Sequence, residues 1–137
     1  MSDIVDETLR EWRRSAFVWG QSDCWLSIGK YLARTGHPDV TGQFIGRYDT
    51  QEGALAIMAE HGGAAGLMAL AGAVESDEPP ARGDVVEVLY QQDDGQTCSI
   101  GGICTGDSVA VRLTRGMVEV RLRLVSYLRV WRGRGAA

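Results

Sequence analysis

The chemistry this chain could perform is concentrated in Trp19-Gly20-Gln21-Ser22-Asp23-Cys24. An aromatic-glycine turn delivers a cysteine to the expected first turn of a helix. Trp25, Ile28, Tyr31 and Leu32 recur at helical spacing and predict that helix over Cys24 to Arg34. The free N–H groups of a helix N-terminus stabilise an anion, so a thiol placed there ionises more readily. Cys24 is therefore the candidate nucleophile, and a nucleophilic thiol needs a base to take its proton. Asp23, just before it, is expected to bond the turn or cap the helix.

The chain has two histidines, His37 and His61. His37 follows the glycine that ends the cysteine's own helix. At ~1.5 Å per residue that places it far from Cys24, as a loop or C-cap histidine. His61 follows a later helix and reads as a surface or capping residue. Without a base, Cys24 packs as a small hydrophobe, as buried cysteines commonly do. Cys98 and Cys104 are expected to pack in or beside one strand. Three cysteines at no metal-ligand spacing argue against a disulfide framework and a zinc site, and no cofactor is expected.

The elements that must position Cys24 follow from pattern. Ser2 or Asp3 caps a first helix running to about Arg14, with Ile4, Val5, Leu9 and Trp12 as its apolar stripe. Thr35-Gly36-His37-Pro38 stops the cysteine helix. Asp49 or Thr50 caps a third helix, Gln51 to about Glu60, and Ala64 to Ala71 forms a short fourth. Glu75 to Pro80 reads as a polar linker. Strands follow over Asp84 to Tyr90, Ser99 to Thr105, Ser108 to Leu113, Met117 to Arg121 and Tyr127 to Trp131. Gly101-Gly102 predicts a bulge or a close approach of another backbone. The order is helices first, antiparallel strands after: an α+β layout with about five strands. Residues 1–137 read as one domain, with a helical half over 1–74, a linker over 75–82 and a sheet half over 83–132.

The composition, with 45% hydrophobic and 23% charged residues, is that of a globular domain. No apolar run approaches the ~18 residues that span a bilayer, so no membrane insertion is expected. The acidic start, Met1-Ser2-Asp3-Ile4-Val5-Asp6-Glu7, lacks the features of a signal peptide, so synthesis in the cytoplasm is expected. The net charge is −4, yet seven arginines and one acid lie between Arg112 and Arg134. Those arginines are expected on the solvent face of antiparallel strands. Overall acidity argues against nucleic acid as a ligand. Trp12, Trp19, Trp25 and Trp131 are expected in the core or at the helix–sheet interface.

A helix-borne cysteine followed by an antiparallel sheet resembles the papain-like fold, and the motifs are similar to its NlpC/P60 branch of bacterial and phage cell-wall peptidases. The matching residues are Trp19, Gly20, Asp23 and Cys24, then Arg82-Gly83-Asp84-Val85-Val86, then Ile100-Gly101-Gly102-Ile103-Cys104-Thr105-Gly106-Asp107. The chain further resembles a group of short tailed-phage and prophage proteins in Thr35-Gly36-His37, Arg47-Tyr48, Gly53-Ala54, Gly62-Gly63 and Trp131. That resemblance implies a tail-tip or tail-assembly protein, located in the virion tail and contacting hub or distal tail proteins. It also implies peptidoglycan as the substrate if the site is active, with Cys24 cleaving peptide stems. The departure is the base. The family's histidine position falls on Ile100, beside Ser99, and the orienting polar residue falls on or next to Arg112. The expectation is therefore a peptidase scaffold with degenerate catalysis; an active endopeptidase and a host-side binding module are the alternatives.

Overall fold

Among the described residues, three of the four α-helices begin at a side chain that caps them. In the computed structural model, which describes residues 3–133, Asp3 accepts from Asp6 N to start α1 (Ile4–Arg14). Asp23 accepts from Leu26 N to start α2 (Cys24–Arg34), and Thr50 from Gly53 N to start α3 (Gln51–Glu60). Each acceptor satisfies one of the N–H groups left open at a helix start. α4 (Gly63–Leu70) follows a left-handed glycine, Gly62, and starts one residue before the sequence pattern places it.

The second half is a six-stranded antiparallel sheet among the described residues. Its strands are β1 (Glu75–Ser76), β2 (Val85–Gln91), β3 (Thr97–Cys104), β4 (Ser108–Leu113), β5 (Gly116–Arg121) and β6 (Tyr127–Trp131). Their spatial order is β1-β6-β2-β3-β4-β5. The expected linker over 75–82 thus contains a short edge strand, Glu75 and Ser76 pairing with Trp131 and Val130. This corrects both the linker and the expectation of about five strands. Two polar residues carry no periodicity of their own, and only the distant partner strand makes them a strand.

The register separates two packing faces. Val85, Ile103, Ala110 and Trp131 lie in adjacent register and face the helices, joining Leu9 and Trp12 of α1, Ile28, Tyr31 and Leu32 of α2, and Met68 of α4. The alternate positions, Val86, Val88, Ile100, Cys104, Val109 and Val111, form a second cluster. That cluster takes in Cys24 from the start of α2, with Phe17, Leu122 and Val125 at its margin. No bulge lies at Gly101 and Gly102, and what comes close to Gly101 is side chains of α2 rather than another backbone. A Cβ at Gly101 would lie 2.7 Å from Ile28 and 2.9 Å from Trp25, so α2 sits directly on β3 there. The register shift in the sheet is instead between Glu87 and Val88, opposite β6.

The first and last parts of the chain are tied at Arg82-Gly83-Asp84. Arg82 pairs with Asp3 and Asp6 and also donates to Thr105 O. Asp84 is buried and accepts from Ala81 N, Gly133 N and Arg132. Tyr31 OH donates to Gly83 O at 2.5 Å. The step that leads into the first long strand is therefore also the clamp that holds α1 and α2 to the sheet.

The arginines do not all face solvent. Arg112 is only 4% exposed. Arg121 pairs with Asp107, Arg129 with Glu75 and Glu87, and Arg132 with Glu78 and Asp84. Of the tryptophans, Trp12 and Trp131 are buried, whereas Trp19 and Trp25 are half-buried.

Candidate functional site

Two clefts meet at the start of α2, and both touch Trp19, Cys24, Gln51, Cys98 and Ile100. The first, about 90 Å³, runs between α2 and the α3–α4 pair and is walled by Trp25, Ile28, Phe44, Met58 and Met68. The second, about 370 Å³, opens between Phe17, Tyr90 and Arg112, with Asp93 and Asp94 at its edge.

The turn before Cys24 is built around one carboxylate. Asp23 is 2% exposed; its Oδ1 accepts from Leu26 N at 3.1 Å. Its Oδ2 accepts from Gly20 N at 3.0 Å and from Tyr48 OH at 2.5 Å. Burial, and then the Asp23 carboxylate, hold the Tyr48 phenol far above its ordinary range, so it stays a donor. Gly20 has φ +78°, and a Cβ there would lie 1.8 Å from Tyr48 O. Only glycine fits both the left-handed backbone and that contact. Ser22 completes the turn, accepting from Val18 N and donating to Ala16 O. In the sequence, the Arg47-Tyr48 step is the only signal that points to Tyr48.

Cys24 sits at the helix start as expected, and its side chain is buried. It is 7% exposed and packs with Val86, Val88, Ile100 and Val111. Burial, and then the neighbouring Asp23 charge, push its pKa up to about 12, against the opposing pull of the Gly101 and Trp25 backbone N–H groups. Desolvation of the thiolate outweighs the helix N-terminus. Burial thus works against the easier ionisation that a helix start favours.

No histidine lines either cleft among the described residues. His37 is buried at the far end of α2, its Nδ1 within 3.0 Å of Thr35 Oγ1 and 3.2 Å of Leu32 O. His61 caps the end of α3, with Nδ1 2.9 Å from Ile57 O and its ring edge-on to Phe44. Ile100 occupies the second cluster with Cys24, while Ser99 lines the first cleft. Cys98 accepts from Gln92 Nε2 at 3.4 Å, and buried Cys104 donates to Gly106 O at 3.4 Å.

Arg112 crosses from β4 to the helices. Its Nη2 donates to Ser15 O and Ser15 Oγ at 2.8 Å and to Ala16 O at 2.9 Å, and its Nη1 to Ser27 Oγ at 3.4 Å. These carbonyls lie at the C-terminal end of α1, where a cation is favoured. Burial lowers the guanidinium pKa, opposed by the Asp23 charge. Arginine nonetheless stays protonated. A fixed cation at this position cannot orient an imidazolium.

The sequence matches, over residues 2–133, the family model described as a domain of unknown function, DUF6950. The chain belongs to the DUF6950 family. No curated protein and no solved structure matches it. In this DUF6950 member the described residues contain no group of three or more His, Cys, Asp or Glu placed to hold a metal ion. No single described helix is long and apolar enough to cross a membrane. What the DUF6950 site brings together is a buried thiol, a satisfied carboxylate and a buried cation. The first cleft is walled mostly by apolar side chains and the second by a mixture of polar and apolar ones.

Proposed function

We propose that this protein is a structural component of a phage tail tip, acting in tail assembly, on a papain-like NlpC/P60 scaffold whose catalysis is degenerate. The observation that carries the inactive part is the surroundings of Cys24: a protonated, buried thiol beside Ile100, with neither cleft lined by a histidine. The tail assignment is supported by the sequence resemblance running from Trp19 through Arg47-Tyr48 to Trp131. Neighbouring tail proteins are the proposed partners, and assembly into a virion is the proposed route out of the cell.

Two measurements test this reading. Purified protein incubated with peptidoglycan should release no new amine ends, for wild type and Cys24→Ala alike. Release by wild type alone would establish a cysteine endopeptidase and sink the inactive scaffold. The protein should also be found by mass spectrometry in purified phage particles; its absence there would remove the tail role. One observation favours the endopeptidase reading: the cleft of about 370 Å³ opens onto Cys24 and is large enough to admit a peptide side chain. The amine-release assay decides between them.

A further inference from the structure

The spatial order of the sheet ends on β5, which pairs only with β4 among the described residues. All six of its residues are in unbroken register with β4, and none of the six is buried. Val118, at its middle, is 42% exposed. No other backbone hydrogen bond reaches residues 116–121 among the described residues. α1 meets β5 on the helix-facing side, where Met117 joins the core and Glu119 pairs with Arg13. Backbone bonds of a sheet run within its plane, so a helix on the face leaves the outer edge open. Such an edge presents a row of unpaired N–H and C=O groups, and natural edges are commonly blunted by shortness, proline or a bulge. The opposite edge is blunted in this way: β1 has two residues, and Pro79 and Pro80 follow it closely. β5 has neither proline nor bulge.

The charges along this edge are lopsided. From Arg115 to Arg123 the chain carries three arginines and one acid, Glu119. Glu119 is committed to Arg13, and Arg121 is paired with Asp107. Arg115 lies in the turn that opens β5, and Arg123 in the short turn that follows it. Both are exposed, and neither makes a hydrogen bond or an ion pair with a described residue. Asp93 and Asp94 line the second cleft with Arg115 but do not pair with it. The six residues of β5 extend roughly 20 Å, with an unpaired cation beyond each end. Antiparallel pairing of two copies along β5 would set these arginine ends against each other, and like charges across strands destabilise the pairing. The charges select against self-pairing and in favour of a strand with acidic ends.

We propose that β5 is a docking edge for an extended acidic segment of a partner protein, which adds to the sheet as a further strand. Main-chain hydrogen bonds along residues 116–121 supply the affinity, and carboxylates beside Arg115 and Arg123 set the register. This edge and its charges stand whether or not the protein belongs to a phage tail.

The test is fluorescence polarisation of a labelled short peptide titrated with the full chain. The peptide alternates valine and threonine in its middle and carries glutamates at both ends. Saturable binding is expected, weakening as salt rises, because exposed charges are screened. A protein carrying both Arg115→Glu and Arg123→Glu, at exposed positions without partners, should keep the fold and lose about tenfold in affinity. It should bind a lysine-ended peptide better than wild type does. N-methylation of alternate peptide amides keeps the charges and removes the donors of one peptide edge. Methylation along one of the two edges should abolish binding, and amide exchange in β5 should slow when unmodified peptide is bound. Absence of saturable binding, or equal binding of glutamate-ended and lysine-ended peptides by wild type, would overturn the proposal. Full affinity with both methylation patterns would overturn strand addition. Oligothymidylate binding as tightly as the acidic peptide would overturn the choice of partner.

Discussion

Cys24 and Arg112 are buried on neighbouring elements beside the same cleft, and burial has opposite consequences for them. The thiol escapes the cost of desolvation by keeping its proton, and its pKa rises to about 12. The guanidinium has no such escape, because its proton is held too tightly, so it must gather acceptors instead. One residue is a thiol packed among strand side chains. The other stays charged and staples β4 to the end of α1. A resemblance to a catalytic pattern thus says little about reactivity until the solvation of each member is known.

The largest effect expected in this region comes from the turn that delivers Cys24. Gly20→Ala places a Cβ on the Tyr48 carbonyl and forces a left-handed alanine. It should cost roughly 4 kcal/mol in urea unfolding. A loss below about 1 kcal/mol would mean that the turn is not rigid. Asp23→Ala removes a cap and two further acceptor contacts and should cost about 3 kcal/mol. Arg112→Met removes the charge but strands the Ser15 and Ala16 carbonyls, for a loss of about 2 kcal/mol.

Cys24→Ala should cost least, about 1 kcal/mol, and its signature is in pH. The folded thiol holds its proton to about pH 12, whereas an unfolded cysteine releases it near ~8.5. Between those values the unfolded chain binds fewer protons, so this contribution is whole below about 8.5 and shrinks as pH rises toward 12. Tyr31, raised to about 12 by burial, adds a similar loss above about 10. Wild type should therefore lose stability more steeply than Cys24→Ala between about pH 9 and 10. Equal slopes would break the contrast between the two residues.

Much of this was legible in the sequence, for a local reason. α2 and α3 begin and end where the pattern places them, because their caps, Asp23 and Thr50, and their stops adjoin them in the chain. The cysteine at a helix start was likewise legible. What was hidden depends on partners far away in the chain. Glu75 and Ser76 become a strand only beside Val130 and Trp131. The burial of Arg112 was hidden too, since the carbonyls it holds lie almost a hundred residues earlier. The depth of the Cys24 sulfur was invisible for the same reason: residues of three strands close over it.

The central claim is that Cys24 is a protonated thiol at working pH, and site-resolved alkylation tests it most directly. Native protein is treated with iodoacetamide across a pH series, and labelling of each cysteine is read by peptide mass spectrometry. The account predicts that half-buried Cys98 is modified first and that Cys24 stays unmodified at neutral pH, gaining label only as the pH nears 12 or the protein unfolds. Rapid labelling of Cys24 in the folded protein near pH 7 would contradict it and return the residue to the status of a nucleophile.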